Sequence, residues 1–329
     1  MKKILIIILL FWGNASISQT LVPYLKKNGK YIYVDSATMK PVLETEYDRA
    51  NTFSNGVAAV CNIKDKYKFY WSYIGKNGIP ITSFVMVTAN DFCEGFGLVY
   101  ELDYKYSFIN TVGTYPFLEN GINLSHQEYQ GATDFHNGFA AIEINGRWGF
   151  INRKGEHIIP AIYQFALGFN DGLTTVKTND KYGFIDTSGK EIITPKYEEA
   201  RLYSEGLAGV KSNGLWGFID RAGKEIIAPK FDDVLWFSGG LAPVRINSKW
   251  GFIDRAGNEI IPAKYDLAYA FVDGLAVVRK GDDWGFIDNL GKEKISLKYE
   301  YVNSFSHGLA LVQRSKKSFY IDLSGREYK

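Results

Sequence analysis

The sequence predicts an all-β protein built as a tandem array of short repeats. Aromatic residues make up 16% of the chain, and 33 glycines accompany only nine prolines, which is typical of many short strands joined by tight turns. A W-G-F-I-D string recurs at intervals of 34 residues, with turn-forming residues at fixed places around it. A period of this length indicates a repeat architecture, in which neighbouring units bury their apolar faces against one another.

The repeat period is set by five strings that align without gaps: NGRWGFINRKG, NDKYGFIDTSG, NGLWGFIDRAG, NSKWGFIDRAG and GDDWGFIDNLG. Their leading aromatic residues, each 34 residues after the one before, are Trp148, Tyr182, Trp216, Trp250 and Trp284. Weaker copies at irregular spacings surround Tyr31, Trp71 and Tyr106, and a decayed copy contains Ser318. We therefore predict one continuous array of about eight units and a terminal half unit. Residues 19–134 form its irregular part and residues 135–329 its regular part.

Each unit reads as three antiparallel strands. In one unit, Leu207–Lys211 and Trp216–Asp220 are β-rich segments joined by an Asn-Gly pair, and both of these residues tolerate the positive φ of a type I′ turn. An Asp-x-x-Gly sequence then places Asp and Gly where a type I turn prefers them. The third strand is Lys224–Ile227.

The length of the unit determines the predicted architecture. A propeller blade needs four strands and about 40–50 residues, whereas 34 residues accommodate three strands and a loop. We therefore expect an open, twisted, solenoid-like array of three-stranded units. A closed propeller-like ring is the alternative.

A second string, F-S-x-G-L-A-x-V, alternates with the first and completes the unit. Its copies begin at Phe53, Phe135, Tyr203 and Phe305. Together with W-G-F-I-D and I-I-P-x-K-Y, this string resembles the units of the bacterial WG-repeat (KWG) family. The resemblance covers nearly the whole chain after the first residues and is weaker before His126. It implies an exported or envelope-associated protein with a binding role, and it names no ligand.

Residues 1–18 have the pattern of a secretory signal peptide. Lys2 and Lys3 precede the apolar run Ile4–Trp12, and a small-x-small step ends at Ser18. The run is shorter than the roughly 20 apolar residues that a membrane span needs. We therefore expect export to the periplasm, the cell surface or the medium, with no transmembrane span after cleavage.

The charge balance argues against a nucleic-acid partner. The 38 lysines and arginines fall to 36 when Lys2 and Lys3 are removed, and they face 36 aspartates and glutamates. Nucleic-acid binders usually carry a basic excess, which this sequence lacks.

The sequence also predicts a protein that is not an enzyme and that needs no cofactor or metal. The four histidines are His126, His136, His157 and His307, and they occupy unrelated positions of the repeat without metal-ligand spacing. No nucleophile elbow, phosphate-binding loop or C-x-x-C pair is present.

Two regular columns have structural interpretations. The column Trp71, Trp148, Tyr182, Trp216, Trp250 and Trp284 is expected to pack across each hairpin, over the glycine that follows. A sugar-stacking rail is the competing interpretation. The column Asp186, Asp220, Asp254 and Asp288 fits turn chemistry better than calcium binding, which needs several closely spaced carboxylates.

The predicted contact surface lies in the variable segment between the K-Y-D and F-S strings. Trp236 is the only tryptophan after the signal peptide outside the Trp column, and large aromatic residues are enriched among binding hot spots. Trp236, Tyr269, Tyr301 and Arg201 are the predicted binding residues, and packing between units is the alternative interpretation. The predicted function is a scaffold for an unidentified protein partner at the bacterial envelope. A carbohydrate- or cell-wall-binding array is the alternative function.

Overall fold

The computed structural model describes residues 20–328, except 66–67, 83–85, 103–104, 117, 120–121 and 124–128. The predicted signal peptide and His126 lie outside the described residues. The described chain forms nine small antiparallel sheets, which we call blades 1 to 9 in chain order, arranged as the blades of a β-propeller. An additional two-stranded pair consists of Leu118–Glu119 and Ile122–Asn123.

The described part of the chain gives blades 1 to 3 three strands each and blades 4 to 9 four. The three-stranded blades are Leu21–Leu25, Tyr31–Asp35 and Pro41–Tyr47; Arg49–Ala50, Val57–Asp65 and Lys68–Gly75; and Thr88–Ala89, Phe96–Tyr100 and Tyr106–Asn110. Blades 4 to 6 are Gly131–Ala132, Phe139–Ile144, Arg147–Asn152 and His157–Tyr163; Phe165–Ala166, Leu173–Thr178, Lys181–Asp186 and Glu191–Tyr197; and Glu199–Ser204, Leu207–Ser212, Leu215–Asp220 and Glu225–Phe231. Blades 7 to 9 are Asp233–Val234, Ala242–Ile246, Lys249–Ile253 and Glu259–Tyr265; Leu267–Ala268, Ala276–Lys280, Asp283–Ile287 and Glu293–Tyr299; and Tyr301–Val302, Leu309–Arg314, Lys317–Asp322 and Glu327–Tyr328.

The predicted open, solenoid-like array is wrong, and the alternative, the propeller ring, is the observed fold. The prediction counted three strands in each unit and overlooked a very short one. In blade 5 the overlooked strand is Phe165–Ala166, which pairs with Lys177 and Val176 of the next strand. Four strands fit into 34 residues because this strand has two residues, and because a single residue separates successive sheets from blade 4 onward.

The first and last blades pack together and close the ring. Val22 and Val34 of blade 1 share a hydrophobic cluster with Leu309 and Tyr320 of blade 9. The ring of Tyr320 also stacks on that of Tyr24, with centroids 5.6 Å apart and an interplanar angle of 26°. An open array would leave these apolar surfaces in water, and their burial favours closure.

The turns have the predicted chemistry. Asn213 and Gly214 have φ values of 51° and 78°, as a type I′ turn requires. At the other end of the hairpin, one carboxylate oxygen of Asp220 accepts backbone N–H groups of Ala222 and Lys224, each at 2.9 Å. The Asp column therefore holds turns together.

The glycine of W-G-F-I-D lies where two strands approach closely. A Cβ on Gly217 would lie 2.4 Å from the carbonyl oxygen of Ile227 in the fourth strand. The pairing between the third and fourth strands shifts register at this point, between Trp216 and Phe218. The same close approach recurs at Gly149, Gly183, Gly251 and Gly285.

Neighbouring blades are joined by the F-S-x-G string. The ring of Phe218 in blade 6 contacts that of Phe237 in blade 7, with centroids 4.9 Å apart. Ser204 Oγ of blade 6 donates a hydrogen bond of 2.7 Å to the carbonyl oxygen of Phe237. The carboxylate of Glu205 accepts the backbone N–H of Gly239 at 2.8 Å. The string therefore fixes each blade to the next.

The two faces of the propeller carry different turns. Face A carries the F-S-x-G and D-x-x-G turns, such as those at Gly206 and Gly223. Face B carries the Asn-Gly hairpin turns and the acidic residue that follows K-Y. In blade 6 this residue, Glu198, accepts the backbone N–H of Gly214 at 3.0 Å. The acidic residue after K-Y therefore caps the hairpin turn.

Candidate functional site

The short first strands line a central channel. Polar contacts connect the first-strand segments of successive blades: Asn51 with Asp91 at 2.9 Å, Asn90 with Asp134 at 3.1 Å, and Arg201 with Asp233 at 3.2 Å. The fourth strands lie on the outside, because only the third and seventh of their seven residues are buried and the others are exposed or half-buried. The variable segment of the sequence is therefore the channel wall.

One position of this wall varies widely in chemistry from blade to blade. It immediately precedes the aromatic residue of each F-S-x-G string, close to face A, and we call it the mouth column. From blade 2 to blade 9 its members are Thr52, Asp91, Asp134, Gly168, Leu202, Trp236, Ala270 and Ser304. Two positions earlier in the sequence the residues are small and apolar, and Ala166, Val234, Ala268 and Val302 are buried.

Three of the four predicted binding residues are large exposed aromatics of the channel wall. The exposed fractions are 51% for Trp236, 46% for Tyr269 and 50% for Tyr301. Tyr269 and Tyr301 both lie beside Trp284, each with a centroid distance of 6.4 Å. They therefore form one aromatic group, and Trp236 is separate from it in blade 7.

Trp236 instead borders a cavity of about 570 Å³ along blades 5 to 7. The cavity begins near face B, between Phe165, Tyr182 and Trp216. It reaches face A beside Leu202 and Trp236. Its volume is within the range of small-molecule sites, and its wall is mainly apolar.

Arg201, the fourth predicted residue, lines the same cavity. Its guanidinium lies 4.8 Å from the ring centroid of Trp216 and 3.2 Å from a carboxylate oxygen of Asp233. The cation–π contact and the ion pair hold the side chain against the wall. The structure therefore places Arg201 with Trp236 and away from the Tyr269–Tyr301 group.

A second cavity, of about 490 Å³, adjoins the first. It lies along blades 3 to 5 and contains Asp134, His136 and Asn90. Asn170 and Leu202 line both cavities, so the two form one groove at the face A mouth of the channel.

The acidic end of this groove, where Asp134 lines the cavity and Asp91 lies near it outside the lining, was not predicted from the sequence. Loss of water raises the pKa of both Asp91 and Asp134 above the usual aspartate value. Asn51 and Asn90 donate hydrogen bonds to the two carboxylates and oppose the shift. The available signal was their place in the repeat, since both precede the aromatic residue of an F-S-like string.

The repeat Trp column is partly exposed and partly buried. Trp216 and Trp250 are 3% and 7% exposed, whereas Trp71, Trp148, Tyr182 and Trp284 are half-buried. The buried members pack beneath arginine side chains, as Arg245 does over Trp250. A continuous sugar-stacking rail would need all of these rings to face solvent.

In the part of the chain that the structure describes, no helix has the length and apolar character needed to cross a membrane. The same part contains no group of three or more His, Cys, Asp or Glu side chains placed to hold a metal ion.

These features define a closed propeller built from repeats. The residues that recur in every repeat pack the blades together, and the residues of the channel wall vary from blade to blade. The chain belongs to the family of proteins built from the WG-containing repeat, as the resemblance predicted. The family model matches residues 33–67, 124–148, 148–182, 182–216, 216–250, 250–282 and 284–317. No curated protein matches the sequence.

Solved structures align with the chain at low sequence identity. A crystal structure described as the eukaryotic initiation factor aligns with a TM-score of 0.63 and 11% identity, over 95% of this chain and 96% of that chain. The dihydro-heme d1 dehydrogenase NirN aligns with a TM-score of 0.44 and 12% identity, over 94% and 72% of the two chains. The extracellular domain of a putative one-component system from B. thetaiotaomicron aligns with a TM-score of 0.38 and 10% identity, over 92% of this chain and 51% of that chain. The first of these supports the propeller architecture and carries no information on function.

Proposed function

We propose that this protein is an exported, non-catalytic scaffold that binds a protein partner through its channel wall. The observation that supports the proposal is the contrast between the residues that pack the blades together and the exposed residues of the channel wall. Repeated aromatic residues such as Phe218 and Phe237 pack between blades, whereas Trp236, Tyr269 and Tyr301 are about half exposed. Large exposed aromatics on a rigid frame are the usual anchors of a protein interface.

Export is part of the proposal and rests on the N-terminal pattern. Lys2 and Lys3 followed by the apolar run Ile4–Trp12 are typical of a signal peptide. The periplasm, the cell surface and the medium are all compatible with that pattern.

The test compares the purified protein with a variant of its exposed wall. Trp236→Ser, Tyr269→Ser and Tyr301→Ser are combined in one variant. Its control combines the same change at three exposed leucines outside the channel wall, Leu215 at the start of a third strand and Leu290 and Leu323 in turns. Both are immobilised and used to capture envelope proteins, and bound partners are cross-linked and mapped by mass spectrometry.

We expect a partner that binds the parent protein and the leucine control, with cross-links to the first strands, and that is lost with the aromatic variant. Equal capture by both variants, or cross-links confined to the fourth strands, would refute a role for the channel wall.

Carbohydrate binding is the second candidate, and one observation favours it. The ring of Tyr269 stacks on Trp284 at an interplanar angle of 18°, which makes a flat, half-exposed platform. The same two variants are therefore applied to a polysaccharide panel. A glycan that binds the parent protein and the leucine control but not the aromatic variant would favour this function over the protein scaffold.

A further inference from the structure

The mouth of the channel changes from acidic to apolar across five successive blades. Asp91 and Asp134 represent blades 3 and 4 in the mouth column, and Leu202 and Trp236 represent blades 6 and 7. Between them, Gly168 contributes no side chain. Gly168 lines the second cavity, which shares Asn170 and Leu202 with the first. A ligand in the groove would therefore contact both chemistries at once.

The charges at the apolar end are balanced within the protein. Arg201 pairs with Asp233 at 3.2 Å, and Glu199 pairs with Lys211 at 2.7 Å. This end of the groove consequently offers a ligand apolar surface, chiefly from Trp236 and Leu202, rather than a free charge.

The charges at the acidic end are not balanced in this way. Among the residues that the structure describes, neither Asp91 nor Asp134 forms an ion pair with a lysine or arginine. Their hydrogen-bond partners are the neutral amides of Asn51 and Asn90. The basic groups that act on them electrostatically are His307 for Asp91 and His136 for Asp134.

We propose that this groove binds an extended segment of the partner protein in which a lysine or arginine lies close in sequence to a large apolar side chain. The inference rests on the proposed function and specifies the chemistry of the partner. The basic group forms charge-assisted hydrogen bonds with Asp134. The apolar side chain enters the cavity beside Trp236, and the connecting backbone passes over Gly168.

Charge complementarity selects this occupant over others. An acidic segment would be repelled by Asp91 and Asp134, and a purely apolar one would leave Asp134 without a cation. An extended chain also suits the shape of the groove, which follows one residue per blade around the mouth. Alternate side chains of an extended segment lie on one side, about 6.6 Å apart, so one such segment can present side chains to several blades.

The test uses blocked synthetic peptides as probes, titrated calorimetrically into the purified protein. Each peptide carries arginine and phenylalanine, in either order, joined by glycine–serine spacers of increasing length. In matched peptides, glutamate replaces arginine or serine replaces phenylalanine. The protein variants are Asp134→Asn and Trp236→Ala. The control is Asp273→Asn, the same substitution at an exposed face A turn of blade 8, where the positive φ of 50° also suits asparagine.

We expect at least one arginine–phenylalanine peptide to bind the parent protein and the Asp273→Asn control. Asp134→Asn should weaken that binding about tenfold, because a hydrogen bond between charged groups becomes one to a neutral amide. Trp236→Ala should weaken the binding of every phenylalanine peptide and leave the serine peptides unchanged. Added salt should reduce the affinity of the parent protein more than that of Asp134→Asn.

Equal binding of the arginine and glutamate peptides would overturn the inference, and so would an Asp134→Asn variant with unchanged affinity. If no peptide binds while the envelope partner is still captured through the aromatic wall, this inference fails and the proposed function stands. If no partner is captured either, the proposed function fails as well.

Discussion

Trp216, Trp250 and Trp284 each lie beneath an arginine side chain and precede a glycine where two strands approach closely, and the burial of each ring sets its energetic role. Trp216 is 3% exposed and lies in the cluster that joins blades 6 and 7, whereas Trp236 is 51% exposed. Trp216→Ala should lower the free energy of unfolding by about 3–5 kcal/mol, as truncation of a buried tryptophan does. Trp236→Ala should change it by about 0.5 kcal/mol or less. Urea unfolding of both variants measures the two effects, and similar losses would contradict the assignment of Trp236 to the open wall.

The close strand approach at the glycine after the tryptophan leads to a second prediction at the scale of the residue. Gly217→Ala would place a methyl group 2.4 Å from a carbonyl oxygen, so the backbone must shift. We expect a loss of about 1–3 kcal/mol, the usual cost of overpacking. Gly168→Ala is the matched control, because its nearest neighbour, an imidazole carbon of His136, is 3.6 Å away. Thermal unfolding should place Gly168→Ala close to the parent protein and Gly217→Ala well below it.

The raised pKa of Asp134 makes stability depend on pH. Because water is displaced around this carboxyl, folding favours its protonated form. The contribution of Asp134 to stability is therefore full below the unfolded pKa and is lost as the pH rises through the folded pKa. Asp134→Asn should be more stable than the parent protein at about pH 7, with a difference that shrinks as the pH falls toward about 4. Urea titrations across this range measure the difference, with Asp273→Asn as the control, and a difference independent of pH would rule out this origin.

At the scale of the strand, the sequence predicted the long elements and missed the short one. Hairpins with Asn-Gly and Asp-x-x-Gly turns were predicted because their turn residues have strong conformational preferences. Phe165–Ala166 was not recognised, because a two-residue strand has no periodicity of its own and forms only by pairing with its neighbour. The error explains the wrong architecture, because without this strand each unit has only three strands.

The sequence predicted only part of the candidate site. Exposed aromatics stand out as departures from the repeat, so Trp236, Tyr269 and Tyr301 could be selected from sequence. Asp91 and Asp134 could not, because they lie where the spacing is irregular and because aspartate is common in turns. Their significance depends on the closed channel, which brings blades 3 and 7 to one opening.

The positions of the two cysteines in their blades predict their redox state. Cys61 pairs with Arg49 and Trp71 towards face B, whereas Cys93 lies in the F-S-like turn on face A. A disulfide needs Cα atoms within about 7 Å, and this geometry keeps them at opposite ends of adjacent blades. We expect two titratable thiols in the denatured, unreduced protein. Finding none would mean that blades 2 and 3 are arranged differently.

At the scale of the whole molecule, closure predicts the dimensions in solution. A compact chain of this length has a radius of gyration of about 20 Å. An open array of nine sheets at about 10 Å spacing would give about 26 Å. Small-angle X-ray scattering distinguishes the two, and the smaller value is expected. A value near the larger one would show that Tyr24 and Tyr320 do not meet in solution.

The contact between blades 1 and 9 also limits how the gene can change. An open array can gain or lose a 34-residue unit at its end with little effect on the other junctions. In a closed ring of nine, an added unit must reduce the angle at every junction from about 40° to about 36°, because the angles share one full turn. Duplication or deletion of a single unit is therefore a change to all the interfaces at once, and substitution within the channel wall is the less disruptive way to alter what the protein binds.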